Sequence, residues 1–198
     1  LTLELVDVQT ENVIWSEQYT RKQGDLVSLQ SEIARDVSTK LKTKLTGVEE
    51  EKVTKTSTAN TEAYQLYLKG LFHWNKRTPE SLKASLDYYN QAIGKDPNYA
   101  LAYAGMALTY VLLPEYSTGS PADSMPRAKA AAIKALELDN SLAEAHTALA
   151  YVLYSYERNF PDSEREFRRA IELNPHYATA HQWYGGGNLV ALARFDEA

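Results

Sequence analysis

Apolar residues recur every three or four positions through most of the chain, and at every second position in a short stretch near its start. From residue 61 onward the helical spacing is interrupted by prolines, glycines and short polar runs, which divide it into separate segments. The predicted helices cover residues 61–76, 80–94, 98–112, 124–138, 142–157, 162–173 and 177–192. The pattern therefore predicts a mainly α-helical protein.

The first 60 residues follow a different pattern. Apolar and polar residues alternate on both sides of the polar run 9–12, which is typical of a β-hairpin. The alternating apolar residues are Leu3, Leu5, Val13 and Trp15. A helix is then predicted from Asp25, a suitable capping residue, to about Leu45. Residues 46–60 contain many Thr, Lys and Glu residues and few apolar ones, so we interpret them as a solvated linker.

One motif occurs three times in the helical part of the chain. Residues 92–103 (AIGKDPNYALAY) return as residues 135–146 (ALELDNSLAEAH) and again as residues 170–181 (AIELNPHYATAH). Each copy joins the end of one predicted helix to the start of the next through an Asp or Asn corner. A period in the mid-thirties predicts stacked helical hairpins, because one hairpin buries its apolar face only against its neighbours.

These units resemble the tetratricopeptide repeat (TPR). The third unit carries the pattern of both helices: Ala145, His146, Leu149, Ala150 and Leu153 in the first, and Phe160, Phe167, Ala170 and Pro175 in the second. The resemblance implies an α-solenoid of antiparallel hairpins, in which small residues such as Gly70 and Ala107 allow two helices to approach closely. It divides the chain into three hairpins, at 61–97, 98–140 and 141–175, and a truncated fourth at 176–198.

Residues 1–45 resemble the C-terminal end of a TolB-like domain. The resemblance rests on the order of a strand, the turn DVQTEN, a strand ending in IWSEQY, and the helix DLVSLQSEIA. It implies a bacterial source and a longer parent protein, because such domains often precede TPRs in large bacterial signalling proteins. Leu1 lies inside the predicted strand and residues 194–198 begin a predicted helix, so we expect a fragment at both ends. The predicted organisation is a partial α/β domain (1–45), a linker (46–60) and repeats (61–198).

Charge and composition exclude several classes of function. The net charge of −5, with no run of lysines or arginines, argues against binding of nucleic acid by this segment. The chain has no cysteine, which excludes disulfides and thiolate metal sites. No apolar run approaches the length of a membrane span, so direct membrane contact is not expected. The localisation of this bacterial segment stays open between the cytoplasm and the extracytoplasmic part of a membrane-tethered parent.

Residues that could carry chemistry have simpler explanations. His146 and His181 occupy the same position in successive repeats, which predicts packing residues rather than metal ligands. Residues 185–187 (GGG) lack the Lys and Ser or Thr of a phosphate-binding loop, and they fall inside a predicted helix. The helix should be weak there, because glycine costs roughly 1 kcal/mol relative to alanine. We find no catalytic, cofactor-binding or metal-binding set, and we predict no cofactor.

The candidate site is the concave groove of the solenoid. The TPR resemblance implies that the first helix of each unit lines it, and that it binds a protein or peptide partner. The residues that this assignment places in the groove are Tyr64, Tyr67, Leu71, Trp74, Leu101, Ala104, Leu108, Glu144, Thr147, Tyr151, Tyr154, Thr179, Gln182 and Gly186. An aromatic groove with few charges suits an extended or helical peptide with apolar anchors. Past their cap residues, helices 98–112 and 142–157 lack the lysines and asparagines that clamp acidic chaperone tails in one TPR subtype, so that subtype is not expected.

The sequence leaves three functions to compare. The first is a TPR scaffold that binds a partner for a larger bacterial signalling or regulatory protein. The second is a structural or self-association element of a kinase-, cyclase- or winged-helix-linked parent, in which an uncapped fourth repeat docks another copy. The third, an enzyme in its own right, lacks any catalytic constellation. Residues 113–121 add length to the second unit as a turn-rich loop, either a tolerated surface loop or a partner contact.

Overall fold

A computed structural model describes residues 2–7, 9–20, 29, 32–33, 35–37, 39, 58–116 and 119–197. The chain divides into two compact units, residues 1–61 and 62–198. Of the predicted linker 46–60 only residues 58–60 are described, and of the predicted helix 25–45 only seven positions between 29 and 39, all of them helical. None of the described helices has the length and apolar character that crossing a membrane requires.

The first unit contains the predicted β-hairpin. Strand β1 (Thr2–Val6) pairs antiparallel with strand β2 (Val13–Gln18), with Leu5 opposite Trp15 and a bulge between Leu5 and Val6. The turn forms because the Asp7 carboxylate accepts hydrogen bonds from the backbone N–H groups of residues 9 and 10. Tyr19 donates a hydrogen bond of 2.8 Å to Asp36, which joins the hairpin to the helical residues.

The second unit is a series of antiparallel helix hairpins. Its helices are α1 (Thr61–Lys76), α2 (Pro79–Lys95), α3 (Ala100–Tyr116), α4 (Pro121–Leu138), α5 (Ala143–Ser155), α6 (Phe160–Leu173) and α7 (Ala178–Trp183). Helix α3 packs on α2, α4 and α5, and helix α5 packs on α4, α6 and α7. The fold is therefore mainly α-helical, a TPR-like solenoid preceded by a small β-hairpin with helical residues, as the sequence pattern predicts.

The repeated Asp or Asn corner ends one helix and starts the next. The side chains of Asp96, Asp139 and Asn174 each accept a hydrogen bond from the backbone N–H two residues later, at 3.0, 3.0 and 3.2 Å. The backbone N–H of each corner residue also bonds the carbonyl oxygen of an alanine four residues earlier, which closes the helix. The recurring motif therefore encodes three copies of one turn.

Contacts between one tyrosine and two glycines determine how closely helices α1, α2 and α3 approach one another. Tyr89 of α2 is fully buried, and its ring lies between Gly70 of α1 and Gly105 of α3. A Cβ atom on either glycine would lie within 2.6 Å of the ring. The expected partnership of small residues with aromatics is therefore present at Gly70, and Gly105 is a second instance that the sequence analysis did not identify.

Two predicted elements differ from the structure. Helix α3 continues through Pro114 to Tyr116, so the first part of the predicted loop 113–121 is helical. Pro114 has no backbone N–H, so the helix continues without the hydrogen bond that residue 114 would donate to the carbonyl oxygen of Tyr110. The predicted helix 177–192 changes after Trp183 into a π-helix, Tyr184–Leu189, followed by a short 3₁₀ turn at Phe195–Glu197. Gly185, Gly186 and Gly187 fall within the π-helix, where we expected the weakest helical segment.

Candidate functional site

A cavity of about 350 Å³ lies among the first helices of the repeats. Its lining comes from α1, α2, α3, the first turn of α5 and the start of α7. The lining residues are Tyr67, Leu71, Trp74, Asn75, Tyr89, Leu101, Gly105, Leu108, Glu144, Tyr177, Ala178 and Thr179. The cavity therefore draws on all four predicted units, and its walls are mostly aromatic and aliphatic.

The structure brings seven of the fourteen predicted groove residues into this cavity. Five of them are Tyr67, Leu71, Trp74, Leu108 and Glu144. Leu101 and Thr179, which the repeat register also placed in the groove, line the cavity as well. The register of the first helices therefore placed these side chains on one surface, although they are distant in sequence.

Tyr151 and Tyr154 form a separate aromatic cluster beside the cavity. The Tyr151 ring centroid lies 4.7 Å from that of Trp183 and 5.1 Å from that of Tyr154. The Tyr151 hydroxyl donates a hydrogen bond to the carboxylate of Glu115, which lies in the last turn of α3. Tyr151 is only 8% exposed, so these contacts are mainly internal packing among the second, third and fourth repeats.

The remaining predicted groove residues lie elsewhere. Thr147 is fully buried and its hydroxyl donates to the Ala143 carbonyl oxygen, so it presents no surface to a partner, contrary to the prediction. Ala104 is also fully buried. Tyr64 packs beside Ala63 and Tyr99. Gln182 and Gly186 are exposed and do not line the cavity.

Glu144 is the only charged residue among the described lining residues. Burial raises the pKa of its carboxyl, and the negative charge of Asp139 adds to this effect; a hydrogen bond to its own backbone N–H acts in the opposite direction. Within the described part of the chain, no lysine or arginine forms an ion pair with Glu144. The cavity thus contains a partly buried carboxyl group without a cationic partner.

Tyrosines surround this carboxyl group. Burial, followed by neighbouring tyrosines and Glu144, raises the pKa of Tyr67 well above its usual value. Burial also raises the pKa of Tyr177, and the charge of Glu144 contributes to that rise. Both hydroxyls therefore stay protonated at neutral pH. The cavity can offer hydroxyl donors, ring faces and one carboxyl group to a ligand.

One cation lies near the aromatic wall. The guanidinium carbon of Arg77 lies 3.8 Å from the Trp74 ring centroid, a cation–π contact. Arg77 has a positive φ of 53°, in the loop between α1 and α2. Burial lowers the pKa of Arg77, and electrostatic interactions with Tyr116, Tyr177 and Glu115 act in the opposite direction. Arg77 does not line the cavity itself.

Several cavity residues were not identified from the sequence. Tyr177 and Ala178 belong to the corner that starts α7, and Tyr89 belongs to a second helix, whereas the prediction used first-helix positions only. Tyr177 could have been found from its place in the repeated motif, where Tyr99 precedes the first turn of α3 in the same way. Gly105 and Asn75 carry no comparable sequence signal.

Two histidines at equivalent repeat positions, His146 and His181, contact carbonyl or carboxylate oxygens. His146 is buried, with Nδ1 2.6 Å from Glu166 Oε2 and Nε2 3.1 Å from the Asn140 carbonyl oxygen. His181 repeats the second contact, 2.9 Å from the Pro175 carbonyl oxygen, but its side chain is exposed, so the predicted packing role is wrong for His181. Across the described residues no three His, Cys, Asp or Glu side chains could together hold a metal ion.

Comparison with solved structures places this fold among TPR domains. The first TPR of Spaghetti (RPAP3), bound to the HSP90 peptide SRMEEVD, matches with a TM-score of 0.51 and 18% identity, covering 67% of this chain and 94% of that one. The first TPR domain of human RPAP3, solved by NMR, matches with a TM-score of 0.53 and 18% identity, covering 69% and 97%. At this identity the likeness shows the fold alone.

Two kinds of curated protein are similar in sequence. Putative adenylate cyclase 3 of Rhizobium meliloti (strain 1021) is 27% identical over 170 residues, 83% of this chain and 28% of that protein. The transcriptional regulator HilA of Salmonella typhimurium is 28% identical over 137 residues, 69% of this chain and 24% of that protein. This chain thus spans about a quarter of the length of these relatives. No protein-family model matches the chain.

Proposed function

We propose that this chain is a protein-interaction module of a larger bacterial signalling or regulatory protein, and that it binds a peptide segment of its partner in the cavity of the solenoid. The observation that carries the proposal is the cavity itself, because it is concave, mainly apolar and lined from four repeat units. A few polar groups within apolar walls are typical of a ligand pocket.

The relatives support the same proposal. An RPAP3 domain of similar fold holds a peptide, and the two kinds of curated relative are a putative cyclase and a transcriptional regulator. Because a putative cyclase and a transcriptional regulator have different activities, a repeat region that both resemble suits partner recognition better than catalysis. We accordingly propose a non-enzymatic scaffold, with the TolB-like segment at residues 1–45 and the output domain elsewhere in the parent.

The test is selection of peptides on the whole chain. A displayed library of random dodecapeptides is selected on the immobilised protein, and the affinity of each selected peptide is measured by fluorescence anisotropy. Ala178 is exposed and lines the cavity, so Ala178→Trp should fill the cavity without disturbing the core. Ala130 is exposed on α4 outside the cavity, which makes Ala130→Trp the matched control.

Groove binding predicts that Ala178→Trp weakens the selected peptides by about tenfold or more, whereas Ala130→Trp leaves their affinity unchanged. Both variants must unfold at a temperature close to that of the parent. A library that yields no binding peptide, or peptides that bind Ala178→Trp as well as the parent, would contradict the proposal.

Self-association is the second candidate, and one observation favours it. Val190 and Phe195, in the fourth unit, are 43% and 66% exposed, so both large apolar side chains are available to a second copy. Sedimentation velocity over a range of concentrations tests this candidate. A dimer that Phe195→Ser abolishes would support it, and a monomer at every concentration would remove it.

A further inference from the structure

We propose that the partner's peptide carries a lysine or arginine, and that the cavity seats this basic side chain beside Glu144. The inference rests on the proposed peptide-binding function and names the chemistry that the cavity would recognise. Its basis is charge complementarity, since Glu144 is the only charged residue among the described lining residues.

The position of Glu144 leaves its carboxyl group available to a ligand. Glu144 lies in the first turn of α5 and lines the cavity together with Tyr67 of α1 and Tyr177, which precedes α7. No described lysine or arginine forms an ion pair with it, whereas other carboxylates, such as Glu157 and Glu164, have basic partners at 2.7 Å. A charged group that is partly removed from water costs free energy until an opposite charge pairs with it.

The titration behaviour of Glu144 agrees with this geometry. Burial comes first among the causes that raise the pKa of its carboxyl, and the negative charge of Asp139 raises it further. A cation in the cavity would counteract both effects, because it favours the ionised form. Pairing with a basic ligand is therefore more favourable in free energy for this carboxyl group than it would be for a fully solvated one.

The walls of the cavity suit the rest of a basic side chain. Lysine and arginine combine an apolar stem with a cationic end, and Leu71, Leu101 and Leu108 can contact the stem. The tyrosine and tryptophan rings favour the cationic end through their negative faces. The chain itself shows this pairing where Arg77 lies on Trp74. A volume of about 350 Å³ is at the small end of the range for ligand pockets, enough for one long side chain.

An acidic peptide fits the cavity poorly. The RPAP3 domain holds a peptide that includes two glutamates and an aspartate. Here the described lining contains no lysine, arginine or histidine, so an acidic side chain would meet the Glu144 carboxylate without a compensating cation. Arg77 lies on the Trp74 ring and does not itself line the cavity. The same fold would thus recognise the opposite charge.

The experiment uses the peptides selected on the full chain that Ala178→Trp weakens. In each peptide, the basic residue is replaced by a neutral residue of the same shape, citrulline for arginine or acetyl-lysine for lysine. Affinities are measured for the parent, for Glu144→Gln, and for Glu137→Gln, which removes one exposed negative charge on α4. The neutral replacement in the peptide and Glu144→Gln in the protein are measured singly and together. The difference isolates the contact between the basic side chain and Glu144.

We expect the neutral replacement to weaken binding to the parent and to Glu137→Gln by about tenfold. With Glu144→Gln the same replacement should change the affinity by about twofold or less, because this variant lacks the carboxylate that pairs with the basic side chain. Groove-binding peptides that need no basic residue would overturn the inference while leaving the proposed function intact. The inference would also be overturned if the neutral replacement weakened binding to Glu144→Gln as much as binding to the parent. A preference of the parent for acidic peptides would overturn it as well. Absence of any peptide that Ala178→Trp weakens would remove both.

Discussion

The ring of Tyr89 lies against the backbone of Gly105, so that a Cβ atom on residue 105 would stand 2.5 Å from Tyr89 Cζ. The ring is also close to the backbone of Gly70, where an added Cβ atom would be 2.6 Å from Tyr89 Cε1, so it has little room to shift. We expect Gly105→Ala to lower the free energy of unfolding by about 1–3 kcal/mol, the usual cost of overpacking a buried site. Urea unfolding followed by circular dichroism measures this change.

Gly94 provides the control for that substitution. It lies in α2, is exposed, and has no neighbouring atom within 4 Å of the position that a Cβ atom would occupy. Gly94→Ala should therefore raise the free energy of unfolding by up to about 1 kcal/mol, because alanine favours the helix and has fewer unfolded conformations. Equal effects of the two substitutions, in sign and size, would show that Tyr89 does not restrict Gly105.

Glu144→Gln should raise the thermal stability of the chain at pH 7. The folded protein raises the pKa of the Glu144 carboxyl above its ordinary value of 4.5, so the folded state binds more protons than the unfolded state just above that value. Stability is therefore lost as pH rises through this window, and the ionised carboxyl destabilises the free protein at pH 7. Glutamine removes that cost.

The measurement is the midpoint of thermal unfolding at pH 7 and at pH 4. The advantage of Glu144→Gln should be present at pH 7 and should shrink at pH 4, where the carboxyl of the folded parent is protonated. Glu137→Gln alters an exposed pair with Lys134 and should change the midpoint little at either pH. A lower midpoint for Glu144→Gln at pH 7 would contradict the account of Glu144 as an unpaired carboxylate.

Arg194 should stabilise the segment that follows the π-helix. It contacts Glu164 of α6 at 2.8 Å and Glu197 at 2.6 Å, and its hydrogen bond is the first cause of the lowered pKa of Glu164. We expect Arg194→Gln to reduce the local stability of this segment, because both carboxylates lose their shared cation. Since the folded pKa of Glu164 lies below 4.5, the contribution of the Glu164 contact is present above that pH and is lost as pH falls through the folded value.

Hydrogen exchange of the amides in residues 188–197 reports this local effect. Arg194→Gln should exchange faster there at pH 7, whereas Arg169→Gln, which removes an exposed pair with Glu172, should not. Faster exchange throughout the chain in Arg194→Gln would mean that the residue supports the whole solenoid and not one segment.

His146→Phe should destabilise the chain more than His181→Phe. Both rings bond a corner carbonyl oxygen six residues earlier, but only His146 is buried and also contacts Glu166. Loss of His146 leaves that carbonyl oxygen and the Glu166 carboxylate without their partner, at a cost of about 1–3 kcal/mol. The exposed contact of His181 can be replaced by water, so its loss should cost under about 1 kcal/mol. Chemical unfolding of both variants makes the comparison, and equal losses would contradict it.

The sequence predicted much of the fold because its signals are local. The bounds of α1 match the predicted range 61–76, because the spacing of apolar residues depends only on residues within the helix. Helix α3 was predicted to stop before Pro114, because a proline usually ends a helix. The helix continues to Tyr116, and Glu115 in its last turn then contacts Tyr151 of the next hairpin.

The candidate site was predictable only where repeat register decides which face a residue occupies. Register placed Tyr67, Leu108 and Glu144 around one cavity, although they belong to different hairpins. It could not show that Thr147 would be buried, because that depends on how closely the adjoining helices pack. Nor could it show that Glu144 would have no cationic partner among the described residues, since ion pairs join residues that are distant in sequence.

The π-helix at Tyr184–Leu189 alters how the fourth repeat should be aligned with the third. A π-helix closes its hydrogen bonds five residues along the chain where an α-helix closes them at four. One additional residue in an α-helix rotates every later side chain by about 100° around the axis. The helical residues 190 and 191 follow directly, so their side chains point in directions that differ from those of an uninterrupted α-helix. For these residues, equal counts along the repeats no longer mean equal faces of the helix.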